Sequence, residues 1–120
     1  MPLNSVPSVR NKAPTDVEIS SLEELIMTPL LNNELYGLQL VQAIEEASGG
    51  KRRIGIGSLY PTLHRLEKNK GLIESRWGDD RPEERGGARR RYYKLTGLGV
   101  ATLRETQQLR DNLAAWQPAY

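Results

Sequence analysis

Cysteine and phenylalanine are both absent from this 120-residue chain, histidine occurs once, and aromatic residues make up only 6%. Without cysteine there are no disulfides and no thiolate-held metal, which fits a reducing compartment. The one histidine, His64, cannot build a histidine-rich metal centre. No apolar run approaches the roughly 20 residues of a membrane span, and residues 1–15 lack the hydrophobic stretch of a secretion signal. These gaps lead to the expectation of an intracellular, cytoplasmic protein with no membrane partner and no cofactor.

Enzyme signatures are missing too. Gly55-Ile56-Gly57 invites comparison with a dinucleotide loop, but the third glycine would fall at Tyr60, and no βαβ unit surrounds it. A P-loop would need Gly-Lys-Ser/Thr, which does not follow. Ser58 and His64 are the nearest Ser/His pair, yet six residues of helix rotate them about 600° apart, onto different faces. Glu23, Glu24, Glu45 and Glu46 read as solvated helix surface. The chain has no catalytic constellation, so an enzyme is not expected.

What is present is segregated charge. Lys51-Arg52-Arg53 and Arg89-Arg90-Arg91 form basic clusters in a chain of net charge only +2, a distribution that suits a polyanionic partner. The mean hydropathy of −0.59 describes a well-solvated protein.

Periodicity divides the chain into a flexible arm (1–15), a main folded domain (16–96), read below as the DNA-binding one, and a C-terminal helix (97–120). Asp16 is a candidate cap for a first helix bearing Ile19, Leu22, Leu25, Ile26 and Leu30, which Pro29 ends. A second helix is expected over about 34–48, stopped by Gly49-Gly50. Ser58 then caps a third, with Leu59, Leu63 and Leu66 inward and Pro61 as its third residue, where a missing N–H costs little. Stretches 72–77 and 89–95 have strand character and flank a polar tip, and Thr96 caps a last helix reaching about Trp116. Helices, hairpin and final helix in this order describe an α+β, mainly α fold: a winged helix-turn-helix with an added C-terminal dimerisation helix.

On that fold the third helix is the recognition helix. With its leucines turned inward it offers Ser58, Tyr60, Pro61, Thr62, His64, Arg65 and Lys68 to double-stranded DNA. The wing contributes Arg85, Arg89, Arg90 and Arg91, and Lys51, Arg52 and Arg53 reach the phosphate backbone. Leu103, Leu109, Leu113 and Trp116 are expected to bury against a second copy of the chain.

Leu35-Tyr36-Gly37, Gly57-Ser58-Leu59-Tyr60-Pro61-Thr62-Leu63, Arg65-Leu66-Glu67, Gly71-Leu72-Ile73 and Arg90-Arg91-Tyr92-Tyr93-Lys94-Leu95-Thr96 together resemble the PadR family of bacterial transcriptional regulators. The resemblance spans about Leu22 to Ala115. It implies a homodimeric, nucleoid-associated repressor at a palindromic operator. Many members release DNA when an aromatic small molecule binds near the dimer interface, so a ligand-responsive repressor is an alternative. The lack of phenylalanine and the single C-terminal helix depart from that pattern. The arm and short C-terminus are similar to the cyanobacterial period-extender (Pex) branch, which implies a circadian-clock gene as target. A winged-helix adaptor that binds protein is a further alternative, and would ignore duplex DNA.

Overall fold

The computed structural model describes residues 15–79 and 89–119. Its elements are α1 (Ser21–Met27), a 3-10 turn (Thr28–Leu31), β1 (Leu35–Tyr36), α2 (Gly37–Ala47), α3 (Ile56–His64), a π-helical turn (Arg65–Asn69), β2 (Ile73–Trp77), β3 (Arg91–Leu95) and α4 (Gly97–Ala115). The three strands form one antiparallel sheet in the order β1-β3-β2. This is the expected winged helix, mainly helical with a small sheet.

The cap of α1 is Ser20, not Asp16. Its hydroxyl accepts from the Glu23 N–H at 3.1 Å, and the Glu23 carboxylate accepts from the Ser20 N–H at 2.8 Å. This reciprocal box satisfies two end groups at once, which a lone aspartate four residues earlier does not. Thr15, assigned to the flexible arm, is held instead: its N–H and hydroxyl both donate to Glu105 of α4. Residues 1–14 lie outside the described residues.

The second helix starts three residues later than its periodicity suggests. Leu35 and Tyr36 pair with Tyr93 and Tyr92 as an edge strand, so α2 begins at Gly37. The α2 C-terminus needs its glycines: Gly49 and Gly50 have φ of 66° and 83°, and the Gly50 N–H donates back to the Glu45 carbonyl at 2.8 Å. Gly71, φ 67°, closes the π turn in the same way, with the Leu72 N–H donating to the Leu66 carbonyl at 2.9 Å.

Helix α3 begins with Gly55 as N-cap, three residues before the expected cap at Ser58. The Gly55 carbonyl accepts from the Ser58 and Leu59 N–H groups, so Ser58 already lies inside the first turn. Pro61 is consequently the sixth helical residue, and the Gly57 carbonyl is left without its N–H partner.

The core joins Ile26, Met27 and Leu30 to Leu40 and Ile44 of α2, Leu59 and Leu63 of α3, and Leu72, Ile73, Tyr93 and Leu103. Leu103 is fully buried within this one chain. It therefore does not belong to the expected dimer surface, because the first two turns of α4 are spent closing the domain. Gly99, also in those turns, lies so close to the Leu72 carbonyl that a Cβ there would overlap the oxygen.

Candidate nucleic-acid interface

Along α3 and its π extension, Gly57, Pro61, His64 and Lys68 are exposed at spacings of three or four residues, with exposed Tyr60 beside Pro61, a continuous stripe on one side. Ser58 is exposed beside it, on the side facing Arg52 and Arg53. Thr62 and Arg65, expected on the same face, are not on it. Thr62 is buried, and its hydroxyl donates to the Ser58 carbonyl at 2.7 Å. The inward arc of the helix is Leu59, Thr62, Leu63 and Leu66, the usual spacing of a buried stripe.

Arg65 is committed elsewhere. Its Nε donates to Glu23 at 2.9 Å, and Lys70 Nζ donates to the other Glu23 oxygen at 2.9 Å. Glu23 is 1% exposed, which corrects the expectation of a solvated glutamate at this position. Burial raises its pKa, but hydrogen bonds from Lys70, the Ser20 N–H and Arg65 outweigh that and hold it at about 2. One carboxylate thus ties α1 to the π-helical turn that continues α3 and fixes how the exposed stripe is presented.

The wing strands alternate as period two requires. Arg91 and Tyr93 face the α3 side with Ser75 and Trp77, while Tyr92 faces outward with Arg76. The Arg91 Nε donates to the Ser75 hydroxyl at 2.9 Å, and Ser75 donates to Glu67. The guanidinium groups of Arg89 and Arg91 each lie 5.1 Å from the Trp77 ring centre. Arg90 instead stacks over Tyr36 at 4.5 Å. On the outer side Arg76 makes a two-pronged bond to Glu34, 2.9 Å on each arm, which lowers the Glu34 pKa. Arg85 lies outside the described residues.

Between α3 and the β2–β3 pair runs a groove of about 550 Å³ lined by Leu38, Tyr60, Trp77, Arg89, Arg90 and Arg91, among others. The far end of the Tyr60 ring occupies the space where a Cβ of Gly37 would stand, so this glycine seats the tyrosine. Trp77 and Leu38 belong to no motif in the sequence, whereas Gly37 ends the Leu35-Tyr36-Gly37 motif. The period-two pairing of Ile73, Ser75 and Trp77 is the available signal for the tryptophan.

Lys51, Arg52 and Arg53 are exposed at the approach to α3, with Arg53 3.5 Å from Glu45. Beyond Gln107 every described residue of α4 and the segment after it is exposed, including Leu109, Leu113 and Trp116. Among the described residues no cluster of potential metal ligands occurs, and no helix is long and apolar enough to cross a membrane.

The family model described as the transcriptional regulator PadR-like family matches residues 26–105. The chain is 37% identical over 83 residues to the transcriptional regulator Rv3488 of Mycobacterium tuberculosis, covering 69% of each chain. It is similar to a PadR-like transcription factor from Bacteroides fragilis, with TM-score 0.66, 33% identity, and 78% and 82% of the two chains covered. It is also similar to Bacillus subtilis PadR, solved in complex with operator DNA, with TM-score 0.58, 25% identity, and 84% and 52% covered.

Proposed function

The chain belongs to the PadR-like family of transcriptional regulators, and from that premise we propose a homodimeric repressor that occupies a palindromic operator in the bacterial cytoplasm, on the nucleoid. That it is a DNA-binding transcriptional regulator, in a non-enzyme class, follows from the family itself. The finer reading is carried by one observation: the exposed stripe Gly57, Tyr60, Pro61, His64 and Lys68 stands beside an arginine-rimmed groove. A helix presenting small, aromatic and cationic groups without a carboxylate on that stripe suits a major groove, and the arginines suit the flanking phosphates.

The second copy is supported by Leu109, Leu113 and Trp116, which are 57%, 66% and 68% exposed at i, i+4 and i+7 on α4 and its C-cap. An apolar stripe left in water on a projecting helix is the pattern of an unfilled helix–helix contact. A steric repressor needs no more than this. The clock-gene target implied by the period-extender resemblance belongs to the same proposal.

Selection of bound sites from random duplexes tests it. The wild-type chain is expected to return an inverted repeat with half-sites roughly ten base pairs apart. The Leu109→Arg/Leu113→Arg variant should sediment as a monomer and lose the repeat. Recovery of a single, unrepeated site by the wild type would contradict the dimer.

A ligand-responsive repressor is the second reading, favoured by a mostly apolar groove of about 450 Å³ between α1, α2 and Arg110. Release of the selected operator by an aromatic compound would support it, and no release across a panel of such compounds would remove it.

A further inference from the structure

We propose that Trp77 is a DNA-contacting residue, an uncharged platform in the groove between wing and recognition helix on which a backbone sugar of the bound duplex rests. The inference rests on the DNA-binding reading and adds to it a contact that does not depend on charge.

Trp77 ends β2, opposite Arg91, on the sheet face that continues the core through Ile73 and Ser75. Its neighbours in that register are inward, yet Trp77 itself is 48% exposed. The ring has passed the edge of the core and stands in the groove with Tyr60, 42% exposed, and Leu38, 61% exposed. Three large apolar side chains together in water are costly unless something covers them.

The occupant is set by the rim. Arg89 and Arg91 flank the indole at 5.1 Å, and Arg90 lines the same groove. Arg91 is oriented from below by the Ser75 hydroxyl and by Glu67, 3.9 Å away. A ligand that fits must carry spaced negative charges with an apolar segment between them. The sugar-phosphate backbone has that alternation: phosphates for the arginines, and the C–H face of the deoxyribose for the indole. A like-charged or purely apolar partner would leave one half of the groove unmatched.

This role separates from a purely structural one through salt. Charge neutralisation sets the slope of log affinity against log salt concentration, whereas an apolar contact changes affinity without changing the slope. Wild type, Trp77→Ala and Trp77→Phe are titrated with a mixed-sequence duplex at several salt concentrations, after thermal melts establish that the half-exposed site tolerates each change. Trp77→Ala is expected to bind about tenfold more weakly at every salt concentration, with the slope kept, as for loss of an aromatic contact to nucleic acid. Trp77→Phe should recover most of the loss. In a Trp116→Phe background the remaining Trp77 fluorescence should change on binding.

A flattened slope for Trp77→Ala would mean that the indole only holds Arg89 and Arg91, and would overturn the proposal. Unchanged affinity would overturn it as well. Failure of the wild type itself to bind duplex DNA would instead refute the DNA-binding reading beneath it.

Discussion

Replacing Gly99 with alanine is expected to destabilise the fold by about 3 kcal/mol, near the upper end of what overpacking costs. A Cβ at this position would overlap the Leu72 carbonyl oxygen, which is backbone and cannot swing aside. That oxygen also accepts the Thr96 N–H at 3.0 Å, at the residue whose hydroxyl caps α4 through the Gly99 N–H. Relieving the clash therefore breaks the junction between β3 and α4. Gly97, in the same helical turn, has nothing within 4 Å of an added Cβ. Gly97→Ala should be neutral, or stabilising by up to about 1 kcal/mol from helix propensity. In urea melts, coincidence of the Gly99→Ala and Gly97→Ala curves would contradict the close approach.

Glu23→Gln is expected to cost about 2–3 kcal/mol at neutral pH, somewhat less than breaking a fully buried ion pair because Arg65 and Lys70 can reach water. The amide keeps one acceptor but turns an N–H group toward one of the two cationic donors, Arg65 or Lys70, which sit on different carboxylate oxygens. Acid should reveal the same interaction. The Glu23 pKa is lowered from 4.5 to about 2 on folding, so its contribution is complete above the unfolded value. It is lost as pH falls from about 5 toward 2, and amounts to about 3 kcal/mol. Glu34, lowered by its bond to Arg76, adds to the acid loss with the same sign. Melts from pH 7 to 2 should therefore show a smaller acid loss in Glu23→Gln than in wild type. A variant as stable as wild type at pH 7, with an undiminished acid loss, would mean that Glu23 does not anchor α1 to the recognition helix.

These two residues also mark what a sequence shows and what it hides. The helices and the two main strands are legible because leucine spacing and period-two alternation are local. Thr96, Gly49, Gly50 and Gly71 are legible because caps and left-handed turns select residue types. The two-residue strand Leu35–Tyr36 is not, since its partner on β3 is more than fifty residues away and its own pattern runs on into a helix. Glu23 looks solvated beside Glu24 because Arg65 and Lys70, its partners, are 42 and 47 residues distant.

The recognition face is half legible for a related reason. Three leucines suffice to suggest a buried stripe, although the arc from Leu59 to Leu66 also contains Thr62. Arg65 reads as a DNA contact because a cation on a surface helix has no visible alternative until the fold supplies one. Likewise Leu103 shares its leucine type with Leu109 and Leu113, and only the packing of α4 separates core from exposed stripe.

In the proposed complex, duplex DNA meets the stripe ending at Lys68 on one side and the wing at Arg89 on the other. The most direct test is the salt dependence of duplex affinity for wild type and for the Lys68→Ala/Arg89→Ala double variant. With two fewer phosphates neutralised by each protomer, four per bound homodimer, the magnitude of the log–log slope should fall by about 3.6, at roughly 0.9 per phosphate. A slope identical to that of the wild type would place the DNA on another face of the molecule.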